Sequence, residues 1–93
     1  MFFEWDPDKS KLNQQKHGLN FKKAKQVFAH PRLDWLDTRK DYGEPRYLSI
    51  GTIKAKTMII VAYTYRKKNI RLISARKANP KEIRRFYDQI NKT

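Results

Sequence analysis

Few side chains in this sequence move protons near neutral pH, and many can hold an anion. Two histidines and 9 Asp and Glu stand against 22 Lys and Arg, a formal charge of +13. Lys9, Asn13 and His17 fall at i, i+4 and i+8, which sets them on one face of a helix, with Lys16 beside them. Further on, Arg71-Leu72-Ile73-Ser74-Ala75-Arg76-Lys77 places cations along and at the end of a strand-like stretch, just before a helix start. Arg46 heads another such stretch, behind Glu44-Pro45.

That assortment suits phosphate, because the planar fork of Arg grips two phosphate oxygens at once. Cutting RNA without a metal needs three things: a proton taken from the 2′-OH, a proton given to the leaving 5′-oxygen, and charge stabilisation on the phosphorane. Arg fits the last task. His17, Lys16, Glu44 and the tyrosines are candidates for the first two.

Each candidate also has a plainer explanation. A His in the last turn of a helix complements the dipole and the terminal carbonyls. Lys9 and Lys16 fit ordinary surface positions, and Glu44 can simply lead Arg46 into its strand. Arg76 and Lys77 read by composition as solvated strand-end residues. Arg71 lies between apolar neighbours, so its charge must meet a partner: a phosphate, or a structural ion pair with Asp37 or Glu44. For Trp5 and Trp35 a core position is the commoner fate, although RNA-binding proteins stack bases on exposed aromatics.

The elements that must position these groups follow from caps and periodicity. A short strand covers Phe2–Trp5. Asp6-Pro7 caps and starts a helix over about 7–17, and Gly18 ends it. Leu12 is the only large apolar residue in that helix, so Trp5 and Leu19 at its two ends are the expected anchors. Asn20 caps a second helix with a stripe of Phe21, Ala24, Val27 and Phe28, ended by His30-Pro31. Strands are expected over Leu33–Asp37, Arg46–Ile53, Met58–Tyr65 and Ile70–Ala75. Met58–Tyr65 is apolar on both faces, as a central strand would be. Strict alternation in the last strand sets Ile70, Leu72 and Ser74 on one face, and Arg71, Ile73 and Ala75 on the other. Asn79-Pro80-Lys81-Glu82 opens a final helix with a stripe of Ile83, Phe86, Tyr87 and Ile90. The order β-α-α-β-β-β-β-α predicts one α+β domain over 1–93, an antiparallel sheet with helices packed on one face.

Composition removes several classes. There is no cysteine, hence no disulfide framework and no thiolate metal site, which fits a reducing cytoplasm. No signal peptide is expected from the opening residues, and the longest apolar run, Met58–Tyr63, is too short to cross a bilayer. No Gly-rich phosphate loop or paired-His motif is present, so no metal or cofactor is expected. The charge predicts a polyanionic partner, since so much like charge costs folding stability. The residues alone thus reach a basic α+β nucleic-acid binder, either a nuclease or a non-catalytic RNA-binding or protein-interaction module.

A resemblance narrows this. Phe3-Glu4-Trp5-Asp6, Lys9, Asn13, Lys16-His17-Gly18, Phe21, Ala24 and Phe28, then Glu44-Pro45-Arg46, Gly51 and Ile73-Ser74-Ala75-Arg76-Lys77-Ala78 run in an order that resembles the BrnT family. The likeness spans Phe3 to about Tyr87. It implies a RelE-like fold, metal-independent RNA cleavage, and neutralisation by a ribbon-helix-helix antitoxin of the BrnA kind. The toxin–antitoxin complex would bind operator DNA through the antitoxin. Carried over by motif, Lys16, His17, Arg46 and Arg76 become catalytic candidates, and Lys9, Arg71 and Lys77 RNA-binding ones. The carboxyl end departs from the family pattern, with Glu82-Ile83 and Phe86-Tyr87 where Glu-Arg and a Tyr are common, which leaves Tyr87 without an assigned role.

Overall fold

The computed structural model describes residues 2–54 and 56–92. Strand β1 (Phe2–Glu4) leads into helix α1 (Pro7–His17). The Asp6 cap accepts from Asp8 N–H, and Gly18 ends the helix in the left-handed region at φ +68°. Asn20 caps helix α2 (Phe21–Ala24) by accepting from Lys23 N–H. The chain then tightens into a 3₁₀ helix, Lys25–Ala29, so the second expected helix is α-helical only at its start. Strands β2 (Arg32–Leu36), β3 (Tyr47–Ile53), β4 (Thr57–Arg66) and β5 (Asn69–Lys77) follow, and helix α3 (Pro80–Ile90) comes last. The α+β class and the element order are those expected.

The strands lie in the order β1-β5-β4-β3-β2. β2 to β5 pair antiparallel with their neighbours, but β1 runs parallel to β5. The sheet is therefore mixed, not wholly antiparallel. A parallel pair needs a long connection, and the rest of the sheet lies between these two strands in sequence.

β4 decides where the helices go. Ile59, Val61 and Tyr63 face a core with Leu19, Phe21, Ala24 and Val27. Met58, Ile60 and Ala62 face a second core with Leu48, Ile50 and Phe86, against which Ile83 and Ile90 pack. The expectation of helices on one face is thus corrected: α3 covers the face opposite α1 and α2. A central strand apolar on both sides leaves two sheet surfaces to cover. Tyr87, expected in the α3 stripe, is 49% exposed. Gly51 serves the first face. A Cβ there would stand 2.8 Å from Val27 Cγ2 and 3.0 Å from Pro31 O, so glycine lets the 3₁₀ helix lie close on β3.

Two local features set up the site. In β5, Leu72 pairs with Tyr63 and Ser74 with Ala62, so Ile73 is an extra residue, a β-bulge. Beyond it the alternation reverses. Ala75 enters the first core, while Ser74 and Arg76 pair with Ala62 and Ile60 on the α3 side. The second feature is how α1 is held. Leu12 is 56% exposed, and the helix docks through polar groups instead. Buried Asn13 donates to Ala75 O (2.8 Å) and Leu19 O (2.6 Å) and accepts from Ala75 N–H (3.1 Å). Ser10 Oγ accepts from Phe21 N–H at 3.0 Å. Buried Leu19, and Trp5 set edge-on to Phe21 at 6.4 Å, complete the attachment as expected.

Candidate active site

The bulge and the α1 docking converge on one cleft of ≈ 340 Å³. His17, Trp35, Arg39, Ser74, Arg76 and Glu82 line it, over a floor of Leu48, Ile60 and Ala62. His17 comes from the end of α1, Arg76 and Ser74 from β5 past the bulge, and Glu82 from the first turn of α3. Trp35 and Arg39 come from the edge strand β2 and the loop after it.

Arg76 is held end-on. Its Nη1 and Nη2 donate to the two carboxylate oxygens of Glu82 at 2.9 and 2.8 Å, and Nη1 also donates to Lys77 O at 3.2 Å. Glu82 at the same time accepts from Asn79 N–H at 2.9 Å, closing the capping box of α3. The hydrogen bond from Arg76 holds the Glu82 carboxyl below its ordinary range. Glu82 in turn raises the Arg76 guanidinium, against burial and the like charge of Arg39. Arg76 is therefore not the solvated strand-end residue its composition suggests. Among the described residues nothing bonds its Nε, so the side-on fork of Nε and Nη2 stays open to an anion.

Arg39 is the cation that sequence reasoning missed. Its Nε and Nη2 each bond Asp37 at 2.9 Å. The Asp37 side chain is only 2% exposed, and it also accepts from Arg39 N–H and Tyr42 OH, both at 3.1 Å. The hydrogen bonds from Arg39 hold the Asp37 carboxyl far below the usual carboxylate range despite burial, and Asp37 raises Arg39. The signal was present as Asp37-Thr38-Arg39, an Asp whose side chain turns back onto the N–H two residues on.

The other candidates divide. Lys16 is exposed beside His17 but does not line the cleft. Arg46 lines an adjoining depression of ≈ 550 Å³ with Leu36, Tyr42 and Glu44. Its guanidinium lies 4.1 Å over the Tyr42 ring, its carbonyl accepts from Asp37 N–H at 2.8 Å, and its Nε is buried with no partner among the described residues. Arg46 thus reaches the cleft through Tyr42, Asp37 and Arg39. Arg71 bonds Glu4 at 3.0 Å, across from it in the β1–β5 register, so its carboxylate partner is neither Asp37 nor Glu44. Glu44 instead meets Arg66 at 3.5 Å. Lys9 and Lys77 are exposed outside the cleft. Among the described residues no three His, Asp or Glu side chains gather as a metal site would need, and no helix is long and apolar enough to cross a membrane.

Fold and cleft together define a small basic α+β protein with a cation-lined cleft on the α3 side of its sheet. A family model described as the ribonuclease toxin BrnT of type II toxin–antitoxin systems matches residues 5–82, and the chain belongs to that family. The crystal structure of the Brucella abortus ribonuclease toxin BrnT matches with a TM-score of 0.62 and 23% identity. The match covers 85% of this chain and 99% of that one, a likeness of fold. No curated protein matches the chain. The resemblance read from the motifs is borne out, and so, at the level of the family, are the toxin and ribonuclease readings.

Proposed function

We propose that this chain, a single domain, is a metal-independent endoribonuclease toxin of the cytoplasm. It would cut RNA by attack of a 2′-OH on the adjacent phosphorus, leaving a 2′,3′-cyclic phosphate and a free 5′-OH. The observation that carries this reading is the convergence of His17, Arg39 and Arg76 on one cleft. The two guanidiniums hold the scissile phosphate and take up the charge of the phosphorane, Arg76 through its open side-on fork. His17, an exposed imidazole at the cleft rim, takes the proton from the 2′-OH and hands it on to the leaving 5′-oxygen as the P–O bond breaks. Glu82, the one carboxylate of the cleft lining, is engaged by Arg76 and capping α3, which favours chemistry run by cations.

Arg46 positions Arg39 through Tyr42 and Asp37. Lys16, Lys9 and Lys77 attract the RNA backbone from outside the cleft, and Arg71 contributes charge from the β1 edge. The antitoxin is a BrnA-like ribbon-helix-helix protein that covers the cleft and ties the complex to operator DNA. An acidic partner there relieves the repulsion within a chain of charge +13.

Purified protein, labelled RNA and EDTA test the reading. Cleavage with cyclic-phosphate ends supports it. Binding without cleavage at any metal concentration would identify a non-catalytic RNA-binding module instead.

A further inference from the structure

We infer that Trp35 is the stacking platform for an unpaired base of single-stranded RNA lying across the cleft. This rests on the RNA-cleaving reading above and adds to it the form of substrate. Trp35 sits on β2, an edge strand of the sheet, opposite Leu48 in the register, and is 41% exposed despite its size. It lines two depressions at once. One is the cleft of His17, Arg39 and Arg76. The other is a groove of ≈ 360 Å³ between β2 and α3, lined by Leu33, Asp34, Arg85 and Gln89. The indole thus stands at the boundary between a phosphate-holding site and a second groove with its own cation.

That arrangement repeats the basic needs of single-strand recognition, a cationic track for the backbone beside an aromatic face for a base. Arg85 is exposed and, among the described residues, unpaired, so it is free to take the next phosphate. Gln89 offers both a donor and an acceptor to a base edge. A duplex cannot use the platform, because its bases are stacked on one another, whereas an unpaired base can be splayed out onto an aromatic ring. Arg39 and Arg76 on one side and Arg85 on the other, with the Asp34 carboxylate of that groove already held by Arg32 and Ser49, favour RNA over a protein strand pairing with the β2 edge. Trp5 is the internal contrast. It packs edge-on against Phe21 and borders the first core, on the opposite side of the sheet.

The test uses a short 2′-O-methyl oligoribonucleotide, which cannot be cut by 2′-OH attack, either single-stranded or annealed to its complement. Binding is followed by anisotropy of an end label, and stacking by intrinsic tryptophan emission. The single strand should bind and quench the emission; the duplex should not quench it. In Trp35→Phe the remaining Trp5 emission should stay unchanged on binding, and affinity should be largely kept. Trp35→Ala should bind the single strand about tenfold more weakly. Binding with unchanged emission, or equal quenching by the duplex, overturns the platform while leaving the RNA-cleaving reading intact. Failure of both the single strand and the duplex to bind overturns both readings.

Discussion

Asn13 bonds both backbone groups of Ala75, donating to its carbonyl at 2.8 Å and accepting from its N–H at 3.1 Å. β1 pairs only with Asn69–Arg71 of β5, so the asparagine stands where a further strand residue would be. His17 lies one turn beyond Asn13 on α1, and Arg76 follows Ala75 on β5. One side chain therefore fixes the spacing between the proposed proton carrier and the proposed phosphate clamp.

Asn13→Ala should then cost about 3 kcal/mol, since it strands a buried N–H and two buried carbonyls. Asn13→Asp should rescue little, because a carboxylate cannot donate to those carbonyls. Urea unfolding checks both; a midpoint unchanged in Asn13→Ala contradicts the role.

Acid should unfold the protein partly through Asp37. Its folded pKa lies below the unfolded value, so the stability it gives is present above about pH 4 and is lost as pH falls below that. Glu82 acts in the same sense. Asp37→Asn should flatten the stability curve below about pH 4 and weaken RNA cleavage by loosening Arg39. Thermal melts from pH 7 down to pH 3 measure the slope. An acid limb as steep in Asp37→Asn as in the parent protein would be the contrary result.

Two arginines of β5 should separate stability from chemistry. Arg71→Ala removes a part-exposed pair with Glu4 and should cost about 1 kcal/mol or less, with cleavage retained. Arg76→Ala also removes a part-exposed pair, with Glu82, so it too should fold, at a cost of about 1 kcal/mol. Chemical denaturation of both variants decides whether either is needed to fold; an unfolded Arg71→Ala would mean the Glu4 pair is far stronger than its exposure implies.

RNA affinity should fall steeply with salt, because bound phosphates release counterions. Arg39 and Arg76 on one phosphate and Arg85 on the next imply a slope of about −1.4 in log K against log salt for a single strand, before the outlying lysines add to it. Titrations from low to high salt measure it. A flat dependence would rule out phosphate-dominated binding.

How much of this was readable beforehand depends on the range of each signal. Caps and stops are local, so Asp6-Pro7, Gly18, Asn20 and Asn79-Pro80 placed helix starts and stops correctly. The two-faced apolarity of β4 was visible too, and it already implied helices on both sides, a consequence the one-faced expectation did not follow. The bulge at Ile73 was not readable, because it depends on pairing with β4 and not on the sequence of β5 alone. His17 and Arg76 were legible through motif and charge. Arg39 and Trp35 were not singled out for the site, since their role comes from β2 lying at the sheet edge beside the cleft. The polar docking of Asn13, paired over 62 positions of sequence, left no local trace.

The most direct test of the central claim is cleavage of labelled RNA in EDTA by the parent protein, Arg76→Ala and Arg76→Lys, each first shown to be folded. The parent should cut and leave cyclic-phosphate ends. Arg76→Ala should be slower by on the order of a hundredfold or more. Arg76→Lys should recover part of the rate, keeping the charge without the two-pronged grip. A folded Arg76→Ala that cuts as fast as the parent, or a parent that cuts only when a divalent metal is supplied, would contradict the account.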